Sequence, residues 1–195
     1  MRPEPDAAVR IGVLGGTFDP VHAGHLAMAR TARKSLGLDL VLFVPARLSP
    51  FKRARPAPSR HRVAMLRLVL RGLSWARIEE MELRRRGPSY TADTLRALKL
   101  RWPGAELFLL LGADAARDLP RWKRPGEVRR LAAVAAFPRP GFRIPKGTLV
   151  LPMAPRAVSA TALREALGRG RRPAGCPASA VAYARRQGLY AATRA

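Results

Sequence analysis

A doubly wound α/β fold follows from three observations. A short apolar run, Val9–Leu14 (VRIGVL), ends in Gly-Gly; a helical segment, His25–Leu36, follows; and a second apolar run, Leu40–Val44 (LVLFV), closes at Pro45. Runs this continuous suit strands buried on both faces, as in a parallel sheet. Parallel neighbours need a crossover helix between them, with right-handed connection.

Each later segment extends the pattern. In the first helix Leu26, Ala27, Ala29 and Ala32 give a small apolar face, and Gly37 is a stop signal. Residues 45–59 hold four prolines and four basic residues and read as an exposed loop. Ser59 is a candidate N-cap for a helix to about Arg71, with Val63, Leu66 and Leu70 inward. A strand is expected at Arg77–Leu83 and a helix at Thr91–Leu100, with Leu95 and Leu98 inward. The clearest strand is Leu107–Leu111 (LFLLL), ending at Gly112-Ala113-Asp114. Val128–Leu131 closes a short helix, Ala132–Phe137 (AAVAAF) is a strand, and Val150–Leu151 a last short one. Ser159–Leu167 and Ala178–Arg186 form two terminal helices joined by GRGRRPAG. The expected architecture is a Rossmann-like parallel sheet with C-terminal helices, in a single domain over 1–195.

Composition bounds the function. Hydrophobic content of 48% excludes a disordered chain. No apolar run reaches the roughly 18 residues that span a bilayer, and MRPEPDAAVR has no apolar signal-like segment. With one cysteine, Cys176, no internal disulfide forms, so a cytoplasmic setting is expected. The net charge of +24 points to polyanionic partners: nucleic acid, nucleotides or anionic lipid. Only five of the 37 basic residues are lysine, which also fits a coding bias toward arginine. Oligomeric state stays open, a homo-oligomer included.

The stretch GGTFDPVHAGHLAMAR (15–30) carries the chemistry. Free N–H groups at a helix start bear partial positive charge and bind anions. Gly15 and Gly16 let the chain turn and let a phosphate approach the backbone. At about 100° per residue, His22 and His25 fall within about 60° on one helix face and address the same anion. Gly24 keeps that face uncluttered, and Asp19-Pro20 fixes how the chain runs into the helix. The spacing is neither the dinucleotide fingerprint nor a P-loop. No further ligand lies nearby to complete a metal site, so no metal-binding side chain is assigned.

VSATALR (158–164) reads as a second anion cradle: Ser159 as N-cap, Thr161 in the first turn, Arg164 one turn on. Asp114 puts a carboxylate at the sheet's carboxyl edge, where it can meet a ribose hydroxyl or cap a helix.

G-G-T-F-D-P-V-H-x-G-H-L resembles the signature of the nucleotidyltransferase superfamily, most of all the nicotinate-nucleotide adenylyltransferases. GPSYTADTL (87–95), LLGADAARDLPRWKRP (110–125), FPRPGF (137–142), VSATALR and QGLY (187–190) extend the resemblance over nearly the whole chain. It implies transfer of AMP from ATP, with magnesium held mostly by the substrate, to nicotinate mononucleotide, giving deamido-NAD and pyrophosphate. ATP contacts would fall to Gly15, Gly16, Thr17, Phe18, His22 and His25 on the first motif, Gly112 and Asp114 on the second, and Ser159, Thr161 and Arg164 on the last. The resemblance makes His22, His25, Lys52 and Arg164 the catalytic set. Asp19, Lys52, Tyr90, Thr91, Trp122 and Arg139 would meet the acceptor, with Thr91 and Trp122 selecting nicotinate over nicotinamide. Trp122, among Arg121, Lys123 and Arg124, is expected in a wet, exposed setting where it can stack on a pyridine ring. Two positions depart from the family pattern: Ala160 stands for a serine and Phe51 for a histidine. The other basic residues of KRARPAPSRHR (52–62) read as solvated surface. Two rivals remain: the same fold with nicotinamide mononucleotide or phosphopantetheine as acceptor, and a basic nucleic-acid-binding protein. The latter leaves Gly15-Gly16, Asp114 and VSATALR unexplained.

Overall fold

The computed structural model describes residues 8–48, 56–153 and 158–191. Six parallel strands form one sheet: β1 (Arg10–Gly16), β2 (Leu40–Pro45), β3 (Ala76–Ile78), β4 (Glu106–Gly112), β5 (Ala133–Phe137) and β6 (Leu149–Val150). Their order is β3-β2-β1-β4-β5-β6. The chain winds outward from β1 to one edge, then returns and winds from β4 to the other. The β1/β4 seam is therefore the point where the winding reverses, and in such sheets the carboxyl ends of the strands at that point hold the ligand.

Strand side chains alternate between two cores. Leu14, Val41, Phe43, Phe108, Leu110, Ala135 and Phe137 face one side. Ile11, Val13, Leu42, Val44, Leu107, Leu109, Leu111, Val134 and Ala136 face the other. The first side is covered by α1 (Ala23–Leu36), α2 (Ser59–Leu70) and α8 (Ala178–Arg186), through Ala29, Ala32, Met65, Leu66, Leu70, Val181 and Ala184. The second is covered by α4 (Thr91–Arg101), α5 (Ala113–Asp118) and α6 (Pro125–Leu131), through Leu95, Leu98, Ala116 and Val128. Period-two side chains with apolar groups on both faces are what a buried parallel strand requires. A short α3 (Met81–Arg84), a 3-10 turn at Leu119–Arg121 and α7 (Ala160–Gly168) complete the chain. Gly37 ends α1 in the left-handed region at φ 58°, where its missing Cβ removes the strain.

The doubly wound sheet and its C-terminal helices are as expected; four local readings are corrected. The strand expected at Arg77–Leu83 stops at Ile78, and Met81–Arg84 turns into α3. Met81 and Glu82 are held inward there, and the apolar residues alone mimicked strand pattern. Ser59 is the first helical residue and Pro58 the N-cap. Helix α5 was not foreseen, because ADAARD offers alanine instead of a hydrophobic stripe. The last strand is Leu149–Val150, one residue earlier than expected. No helix of the described residues is long and apolar enough to cross a membrane.

Candidate active site

A cleft of about 1330 Å³ opens at the carboxyl ends of β1 and β4. Leu14 to Asp19, His22 and His25 form one wall, Gly112 and Asp114 a second, and Ser159, Thr161 and Arg164 a third. Arg139 stands at its edge after β5. Segments remote in sequence thus meet at the reversal point of the sheet.

His22 is the N-cap of α1, with extended backbone at φ −143° and ψ 170°. The rings of His22 and His25 stack, with centroids 3.7 Å apart and planes inclined by 25°. The His22 backbone N–H donates to His25 Nδ1 at 3.2 Å. With Nδ1 accepting, the proton of neutral His25 sits on Nε2, which becomes a donor. Phe18, buried at φ 49°, meets the His25 ring edge-on with centroids 4.8 Å apart. A Cβ at Gly24 would lie 3.0 Å from His22 Cε1 and Nδ1, so glycine lets that ring lie against the helix. His22 Nδ1 is buried and meets no hydrogen-bond partner among the described residues. A buried polar atom in that state marks a place for a ligand or a water.

Burial, and then the nearby Arg139 charge, push the His22 pKa from 6.5 down to about 4. His22 is therefore a neutral imidazole at neutral pH, able to donate one hydrogen bond but carrying no charge. The first turn of α1 is also less open than expected, because the Ala23 N–H already donates to the Gly175 carbonyl at 2.8 Å. A Cβ at Gly15 would meet nothing within 4 Å, so the space beside it is open.

Ser159 caps α7 by backbone conformation, at φ −110° and ψ 125°. Arg164 lies one turn inside, with Nη2 donating to Thr161 Oγ1 at 3.2 Å and Nη1 to the Asp19 carbonyl at 2.9 Å. Gly112 is the N-cap of α5, so Asp114 lies in the first turn instead of capping. Arg139 Nη1 donates to Asp114 Oδ2 at 2.7 Å, both side chains being partly exposed.

Asp19 lines the cleft, but its carboxylate is engaged by the protein. Tyr190 Oη donates to Oδ1 at 2.6 Å and the Ala57 N–H to Oδ2 at 3.2 Å. Beside it Arg62, 1% exposed, donates from Nε to the Ala57 carbonyl at 2.9 Å and from Nη1 to the Thr17 carbonyl at 2.7 Å. Burial pulls the Arg62 pKa below its ordinary value, and the Asp19 charge opposes that pull. Reading the whole charge run as solvated surface was therefore wrong at this position. The signal was available: Arg62, Leu66 and Leu70 recur every four residues along the buried face of α2. Tyr190 showed only as the end of QGLY in the family resemblance, with nothing to tie it to this site.

Tyr90, Thr91 and Trp122 do not line this cleft. Tyr90 is the N-cap of α4, and Lys123 Nζ lies 4.3 Å from the centre of its ring. Trp122 is half-buried against the second core, a drier setting than expected. Their segment still touches the cleft's border: the Ser89 N–H donates to the carbonyl of Leu48, a lining residue, at 3.1 Å. Lys52 and Phe51 lie outside the described residues. The described residues contain no cluster of three or more His, Cys, Asp or Glu side chains able to hold a metal ion.

A parallel sheet with anion-binding helix starts converging on its reversal point defines a nucleotide-binding α/β protein. The cytidylyltransferase-like family model matches residues 13–166, and the chain belongs to that family. Among its relatives, the nicotinate-nucleotide adenylyltransferase of Bacillus subtilis is 37% identical over 93% of this chain and 98% of its own length. A protein of Gloeobacter violaceus, named a probable nicotinate-nucleotide adenylyltransferase, is 41% identical over 93% of this chain and 96% of its own. The fold is similar to that of Plasmodium falciparum nicotinic acid mononucleotide adenylyltransferase complexed with APC. That likeness has a TM-score of 0.79 at 18% identity, over 93% of this chain and 97% of the other.

Proposed function

We propose that this chain is a nicotinate-nucleotide adenylyltransferase that joins ATP to nicotinate mononucleotide in NAD biosynthesis. The observation that carries the reading is the meeting of two helix-start cradles, His22–His25 and Ser159–Arg164, in one cleft at the sheet's reversal point. Relatives named for this activity match over nearly their full length.

In the reaction a phosphate oxygen of nicotinate mononucleotide attacks the α-phosphorus of ATP. The bond to the bridging oxygen breaks, and pyrophosphate leaves with that oxygen and its electron pair. The attacking oxygen is already ionised, so no protein base or covalent intermediate is required. The protein's work is to hold two anions in line and stabilise charge on the phosphoryl oxygens. His25 Nε2–H and the His22 ring donate to the phosphate being transferred; Arg164, Thr161 and Ser159 hold the outer phosphates. Asp114 takes the ribose, and Arg139, with Lys52, meets the acceptor phosphate. Tyr90, Thr91 and Trp122 receive the pyridine ring and its carboxylate. A divalent metal, magnesium by this reading, would be held mostly by the ATP phosphates and would supply charge neutralisation there.

The test is pyrophosphate release with ATP and magnesium against a panel of acceptors. Nicotinate mononucleotide should exceed nicotinamide mononucleotide and phosphopantetheine in kcat/KM. Preference for either of the others would overturn the acceptor assignment.

A further inference from the structure

The two cradles come from opposite ends of the chain, and Tyr190 touches the element that carries each. Its hydroxyl donates to Asp19 Oδ1 at 2.6 Å, in the loop that leads into α1. Its backbone lies on α7: a Cβ at Gly168 would come within 2.5 Å of the Tyr190 carbonyl oxygen, so only glycine admits that approach. Asp19 completes the circuit through its own carbonyl, which accepts from Arg164 Nη1 at 2.9 Å. A part-buried hydroxyl–carboxylate bond to a buried carboxylate fixes its partners, because leaving Asp19 short of a donor is costly. Burial and the bond to Asp19 both raise the Tyr190 pKa, so the hydroxyl keeps its proton for that bond.

We infer that Tyr190 is a positioning residue for the triphosphate: through Asp19 it sets Arg164 and the α7 cradle against the His22–His25 cradle. It acts on the ATP half of the site: Asp19, which the family resemblance set against the acceptor, has its carboxylate held by Tyr190 and Ala57 and its carbonyl by Arg164, while Tyr90, Thr91 and Trp122 belong to other elements. The inference rests on the proposed function for its substrates.

Tyr190→Phe removes the hydroxyl and keeps the ring. Binding of ATP with magnesium, measured by calorimetry without acceptor, should weaken by about 5- to 10-fold. The KM for ATP should rise by the same factor, while the KM for nicotinate mononucleotide stays within about twofold. Asp19→Asn should weaken ATP to a similar extent, and the double variant should add little to either single one. Unchanged ATP affinity in a folded Tyr190→Phe protein overturns the inference, as does an equal rise in both KM values. Should Tyr190→Phe fail to fold, Asp19→Asn decides by the same criteria. If wild-type protein binds ATP but transfers to none of the acceptors, the acceptor assignment fails and the calorimetric arm still decides the role of Tyr190.

Discussion

Arg139 and Asp114 are paired at 2.7 Å, joining the segment after β5 to the first turn of α5 at the edge of the cleft. Each is assigned to a different substrate, yet without ligand each occupies the other. Pairs this exposed are worth about 0–1 kcal/mol, so incoming nucleotides part them at small cost. Arg139→Gln should raise the acceptor KM about tenfold or more and the ATP KM less; Asp114→Ala should do the reverse. Steady-state kinetics with each substrate varied in turn checks both.

His22 makes stability depend on pH. Its pKa falls from 6.5 to about 4 on folding, so between these values the unfolded chain binds more protons than the folded one. The stability present above pH 6.5 should therefore decline as pH falls toward 4. Urea unfolding across that window should show a shallower decline for His22→Gln than for wild type. Arg139→Gln should also raise the His22 pKa, read by proton NMR titration, because it removes the second of the two causes.

Two glycines should separate folding from binding. A Cβ at Gly15 meets open space, so Gly15→Ala should leave the melting temperature unchanged or slightly higher while weakening ATP about tenfold. A Cβ at Gly24 meets the His22 ring at 3.0 Å, so the ring must give by a few tenths of an ångström. Gly24→Ala should lower kcat/KM by up to about tenfold, less than the loss for a misplacement of a full ångström. Calorimetry, thermal unfolding and turnover on the two variants check this.

His25→Ala removes the Nε2–H donor that the His22 backbone orients. Turnover should fall by about 10²- to 10³-fold, the usual loss for one donor aimed at developing negative charge. Circular dichroism should show the fold intact, and near-normal pyrophosphate release would remove the role.

The strands were legible because a buried parallel strand is apolar on both faces, and LVLFV and LFLLL are continuous runs of that kind. The first cradle was legible for a different reason: Gly-Gly, Asp-Pro and both histidines crowd into a few positions of one strand–helix loop. What escaped depends on contacts between remote segments. Nothing near Tyr190 in sequence points to Asp19, 171 positions away. Arg62 hid in a charge run, although its helical spacing with Leu66 and Leu70 placed it on the buried face. The lowered pKa of His22 arises from packing and from Arg139, which no local pattern encodes.

Because Gly168 admits the backbone of Tyr190, this wall of the cleft is closed only when the turn at Tyr190 packs against the loop at Asp19. A growing polypeptide can thus assemble all six strands on the ribosome and still lack a competent nucleotide pocket.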